Sequence, residues 1–174
     1  MTFLTIVEYP DERLEKVARP VEEVTDEIRA LAADMAQTMY AAPGVGLAAP
    51  QVGRSLRLIV IDVSEKKDTL LTLVNPRITA HSDEEVLGEE GCLSLPGMYE
   101  EVRRFAEVEV AYTDLEGRPQ TLQAQGLLAV CLQHEIDHLD GVVFIDHVSR
   151  LKKMRVCAKL RKRRLEKARA KADA

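Results

Sequence analysis

The 174-residue sequence predicts an α+β domain: short antiparallel strands packed around a helix that bears two histidines, followed by a basic C-terminal helix. Apolar residues recur at helical spacing over 28–39 and in the stripe that leads up to the two histidines, and the strand-like runs between are short and bounded by turn residues. The length suits one hydrophobic core, and 46% apolar with 30% charged residues is ordinary for a soluble globular chain.

Each element has a local reason. Thr25-Asp26-Glu27 reads as an N-cap with first-turn acids, and Ile28, Leu31, Met35 and Met39 follow on one face. A helix is therefore predicted over 26–41, stopped by Pro43-Gly44. Arg57-Leu58-Ile59-Val60-Ile61-Asp62-Val63 forms a buried strand, and 69–74 forms another that ends at Asn75-Pro76. Residues 102–112 alternate in part, and Asp114-Leu115-Glu116-Gly117 turns the chain into a partner strand near 120–125. A helix over 126–140 is closed by Gly141, and a basic helix covers 148–170. There is no internal repeat, linker or second-domain boundary. Residues 1–149 form the body, and 150–174 form a basic helix of the same single domain.

The net charge of −5 conceals an asymmetry. Residues 150–171 hold 12 of the 24 Lys and Arg and one acid, Glu166, a charge of +11, against −16 elsewhere. A solvated helix face is one reading. The other is an external polyanion, because the segment repels itself and lacks balancing acids at i,i+4. No apolar run approaches bilayer length, and residues 1–8 lack the basic and apolar regions of a signal peptide. Three cysteines cannot all pair within one chain. The expectation is a reduced, cytoplasmic protein with no membrane partner.

The chemistry begins at His134-Glu135-Ile136-Asp137-His138. Histidines four apart lie on one helix face, where both imidazoles reach one metal ion, and Glu135 beside them can take a proton from water. A catalytic metal usually has three protein ligands and an open position. The metzincin pattern fails, since Phe144 stands where its third histidine belongs. A distant acid downstream would have to be Glu166, inside the basic tail. Upstream, Glu89-Glu90-Gly91-Cys92-Leu93-Ser94-Leu95-Pro96 offers Cys92 as a thiolate, with Gly91 allowing close backbone approach. Free Cys is also often a small buried apolar residue, so spacing alone leaves Cys92 open as a ligand. Cys131 competes, but it forms an apolar stripe with Leu127 and Val130 that suits a pocket wall; Cys157 reads as packing. In Gly44-Val45-Gly46-Leu47-Ala48-Ala49-Pro50-Gln51 small residues let an extended backbone approach, and Gln51 supplies a neutral amide donor. A tight helix-to-strand connection would have the same composition. His81 and His147 read as surface or capping residues.

Gly44 to Gln51, Glu90-Gly91-Cys92-Leu93-Ser94 and Gln133-His134-Glu135-Ile136-Asp137-His138 together resemble, in order and approximate spacing, the three signature motifs of bacterial peptide deformylases. The resemblance runs from Tyr9-Pro10-Asp11-Glu12-Arg13-Leu14 through the final helix. It implies a metal-dependent hydrolase that removes the formyl group from the N-terminal formyl-methionine of newly synthesised polypeptides and releases formate. It further implies one divalent metal ion on Cys92, His134 and His138, Fe(II) in the cell with Zn, Ni or Co found or substituted. Glu135 would be the general acid/base to attack by metal-bound hydroxide, and the Gln51 amide and Leu93 N–H would stabilise the oxyanion. Backbone at Val45-Gly46 would pair with the peptide, and Val45, Leu127, Val130 and Cys131 would line a methionine pocket, with Glu90 and Gly91 also counted to the substrate site. For the basic helix the resemblance points to the ribosome near the nascent-chain exit. Gly88, where many members carry a bulkier apolar residue, and Tyr99, where some carry arginine, are the departures. Three rivals remain: an endopeptidase, an RNA- or ribosome-associated binding module, and a deacylase for longer acyl groups.

Overall fold

The computed structural model describes residues 2–174. The chain runs α1 (Asp26–Ala41), β1 (Gly46–Ala48), β2 (Leu58–Ile61), β3 (Leu71–His81), β4 (Glu85–Cys92), β5 (Leu95–Phe105), β6 (Glu107–Thr113), β7 (Pro119–Gln125), α2 (Gly126–Leu139) and α3 (Arg150–Ala172). Short 3-10 turns cover Glu12–Glu15, Ala49–Val52 and Phe144–His147. One antiparallel sheet has the order β1-β2-β3-β6-β7, and β4 and β5 form a separate hairpin. The α+β expectation holds.

The Leu58-Ile59-Val60-Ile61 run is continuous because β2 is buried on both faces. Ile59 and Ile61 pack with Leu132, Ile136 and Leu139 of α2, and Leu58 and Val60 pack with Met35 and Met39 of α1. A third cluster joins Leu95 and Val102 of the hairpin to Phe144, Ile145, and Val156 and Leu160 of α3. The basic helix is thus built into the body through its first half, while residues 161–174 are exposed.

All three helices lie within two residues of their predicted spans, and α3 starts at Arg150 rather than 148 because Ser149 caps it. Thr25 Oγ1 accepts from Ile28 N–H, Ser149 Oγ from Lys152 N–H, and Gly141 takes the left-handed conformation just beyond α2. The strands differ more. β3 continues through Asn75-Pro76, because Asn75 adopts φ 50° in an irregularity of the pairing with β6 and its side chain bonds both the N–H and C=O of Val21. The stretch 102–112 is two strands in different sheets, divided at Ala106. The hairpin strand β4 and the short β1 have no counterpart in the sequence reading.

Candidate active site

Three elements converge on one cavity. Helix α2 presents His134 and His138 one turn apart, with ring centroids 5.1 Å from each other. Strand β4 ends in Cys92, whose Sγ lies 3.3 Å from His138 Nε2. One ligand atom from each of Cys92, His134 and His138 lies within 4.8 Å of the other two, close enough for a single cation to touch all three. Cys131 does not belong to this group; its thiol is buried in the cavity wall near the Val45 carbonyl, and burial pushes its pKa well up.

The cavity measures about 450 Å³, and its lining includes Val45, Gly46, Gln51, Glu89, Glu90, Gly91, Cys92, Leu93, Tyr99, Leu127, Val130, Cys131, His134 and Glu135. His138 is buried behind it. Val45 and Leu127 are partly exposed and stand towards solvent. Just before β1, the Val45 carbonyl accepts from Asp62 N–H, so alternation of the antiparallel ladder turns the Gly46 N–H and C=O away from β2. This leaves a free strand edge at the cavity.

Gln51 sits in the Ala49–Val52 turn and is buried. Its Oε1 accepts from Ala48 N–H at 2.9 Å, which fixes the amide orientation and leaves Nε2 to donate towards Cys92 Sγ at 3.4 Å and Ser94 Oγ at 3.1 Å. Leu93 lies in the turn between β4 and β5. Glu135 is 3% exposed; its Oε2 has no hydrogen-bond partner, and Oε1 is 3.9 Å from His134 Nε2. Burial, reinforced by the charge of Glu90, pushes its pKa up to about 7.

Glu90 lines the cavity, and both oxygens of its buried carboxylate are engaged by other side chains. Its Oε1 accepts from His134 Nδ1 at 2.9 Å, which leaves His134 Nε2 free for a metal, and it forms a two-point ion pair with Arg104 at 2.8 and 2.9 Å. Burial would raise the Glu90 pKa, but the hydrogen bonds from Arg104 and His134 outweigh it and hold the carboxyl at about 2. Burial likewise opposes a charged His134, yet its bonds to Cys92 and Glu90 raise its pKa well above the ordinary value. Burial and the charges of His134 and Arg104 hold His138 well below it. A thiolate and two imidazole nitrogens that converge on one point suit a divalent cation, and the bare Glu135 oxygen stands beside them.

Sequence reasoning missed Arg104 and Asp137. The available signal was Val102-Arg103-Arg104 in a strand: alternation that buries Val102 also turns Arg104 inward. His147, read as a surface or capping residue, bonds Asp137 through Nε2 at 2.8 Å.

Fold and site are those of a metal-dependent hydrolase built on a helix with the two-histidine, one-glutamate motif. The comparisons are specific. The polypeptide deformylase family profile matches residues 3–154. A peptide deformylase of Burkholderia multivorans is 54% identical over 168 residues, 97% of this chain and 92% of the relative. The crystal structure of a peptide deformylase from Legionella pneumophila superposes with a TM-score of 0.92 at 48% identity, covering 97% of this chain and 99% of that one. That of the Synechococcus elongatus peptide deformylase, solved in complex with actinonin, gives 0.86 at 46% identity over 90% and 86%. The chain belongs to the polypeptide deformylase family, metal-dependent enzymes that hydrolyse the formyl amide at polypeptide N-termini.

Proposed function

We propose that the chain deformylates formyl-methionyl polypeptides as they are synthesised, with a divalent cation on Cys92, His134 and His138 and with Glu135 as the proton carrier. The observation that carries this reading is the buried, unpartnered Glu135 carboxylate beside a Cys/His/His group in a chain of this family. When bound, the cation lowers the pKa of water from about 15.7 toward 7 and polarises the formyl oxygen. Glu135 takes the proton of the attacking water and returns it to the departing amine nitrogen. The Gln51 amide and the Leu93 N–H donate to the oxyanion, each worth on the order of 3 kcal/mol of barrier. The free Gly46 edge holds the peptide extended, and Val45, Leu127, Val130 and Cys131 form the apolar lining for methionine.

The metal in the cell is Fe(II). A thiolate/imidazole site binds zinc more tightly than ferrous iron, so purified protein can carry Zn, Ni or Co instead. Kinetics with formyl- and acetyl-Met peptides, combined with metal analysis of anaerobically purified protein, test the assignment. Strong preference for the formyl peptide with one metal per chain supports it; equal rates would favour a general deacylase.

We further propose that the enzyme works in the cytoplasm and docks on the ribosome through α3. No helix among the described residues is long and apolar enough to cross a membrane. Val156 and Leu160 anchor the first half of α3, so a cut after Ser149 would strip core residues, and the informative truncation follows Leu160. Loss of 161–174 should weaken ribosome binding and its salt dependence while leaving peptide deformylation intact. Equal ribosome affinity with and without these residues would refute docking.

A further inference from the structure

A buried ion network lies outside the three proposed metal ligands and is centred on Arg104 of β5, which is 5% exposed. Arg104 Nε and Nη2 donate to Glu90 Oε2 and Oε1 at 2.8 and 2.9 Å, and Nη1 donates to Asp137 Oδ2 at 2.6 Å. Glu90 stands two residues before Cys92 on β4 and accepts from His134 Nδ1. Asp137 immediately precedes His138 on α2, and its Oδ2 is also within 2.8 Å of His147 Nε2. One guanidinium therefore bridges the strand that ends in the thiol and the helix that carries both imidazoles.

We infer that Arg104 is a positioning residue for the metal centre: it sets the spacing of the Cys92 segment against α2, so that the three ligand atoms converge. The inference rests on the metal-dependent reading above. The geometry needs arginine, because its planar fork grips Glu90 at two points while a third nitrogen reaches Asp137. A lysine ammonium carries its donors on one nitrogen and cannot reproduce the two-point grip on Glu90 together with the separate reach to Asp137. A role confined to neutralising buried charge would make Arg104 matter to stability alone. The positioning role makes it matter to metal affinity and coordination geometry, even where the fold survives.

The test uses the full-length protein and Co(II) as the probe. Its dissociation constant is measured against a competing chelator, together with its visible absorption spectrum and the melting temperature. Arg104→Lys keeps the charge and loses the fork; Asp137→Asn leaves the Glu90–Arg104 pair and loses the charged tie to α2. Each is expected to weaken Co(II) binding by about 10-fold or more and to alter the absorption bands. The double variant should be no worse than the poorer single, because both break one link. If Arg104→Lys fails to fold, Asp137→Asn decides by the same readings. Parental affinity and spectrum in either folded variant would overturn the inference, whatever happens to the melting temperature. A parent chain that binds no Co(II) would overturn the metal reading, and this inference with it.

Discussion

Gly46→Ala perturbs the site through a single carbon. A Cβ at Gly46 would stand 2.7 Å from Glu135 Oε1 and 2.9 Å from Cys131 Sγ, closer than van der Waals contact allows. The Gly46 backbone is not in the left-handed region, so alanine meets no conformational penalty there and the clash falls on the two side chains. The Cys131 thiol sits one bond from its own Cβ and has little room to move, whereas the Glu135 carboxylate is the far end of a longer, flexible side chain and makes the tighter contact, so relief comes from displacing that carboxylate. General acid/base catalysis is worth roughly 10²- to 10⁴-fold, and overpacking costs about 1–3 kcal/mol of stability. The expected result is a fall in kcat/KM of about 10²-fold or more with only a modest loss of stability. Formate release from a formyl-Met peptide, metal content and thermal unfolding would be measured on the same samples. Gly88→Ala is the control: a Cβ there has nothing within 4 Å, and stability should stay within about 0.5 kcal/mol of the parent. A folded, metal-loaded Gly46→Ala with near-parental kcat/KM would refute the reasoning, as would an equal loss in the control.

Cys92→Ala should empty the metal site in a metal titration and Cys131→Ala should not, since only the Cys92 thiol lies with the two histidines; the reverse pattern would mean the wrong thiol was chosen. Glu90→Gln should narrow the pH dependence of stability. Glu90 has a folded pKa of about 2 against an ordinary 4.5, so its contribution, at most about 3 kcal/mol, is complete above pH ~4.5 and lost as pH falls toward 2. Urea unfolding across that range should show the gap between parent and variant closing, and a constant gap would contradict it. Gly141→Ala should destabilise the fold by about 1–3 kcal/mol without changing kcat, because φ is 75° and a Cβ would strike the Glu15 carbonyl. A parental melting temperature would contradict that.

Legibility in the sequence followed the range of the interactions. The helices were readable because their signals are local: Thr25 caps its own first turn, Gly141 terminates α2 within two residues, and α3 announces itself as one long basic run. The two histidines and Glu135 were readable because four-residue spacing alone places them together. The course of β3 past Pro76 was not, since the bulge depends on Asn75 bonding Val21 far away in sequence. Strand β4 escaped because its exposed Glu- and Gly-rich stretch lacks the alternation of a half-buried strand. The inward turn of Glu90 depends on Arg104, and the tie to α2 depends on Asp137, so neither is visible until β5 and α2 are packed together.

Glu135→Ala, followed in a single turnover with the metal content known, tests the central claim most directly. Glu135 is assigned as the proton carrier and not as a ligand, so the variant should keep one metal per chain while the chemical step slows by roughly 10²- to 10⁴-fold. A metal-loaded variant that cleaves formyl-Met peptide at near-parental rate, or one that no longer holds the metal, would contradict it.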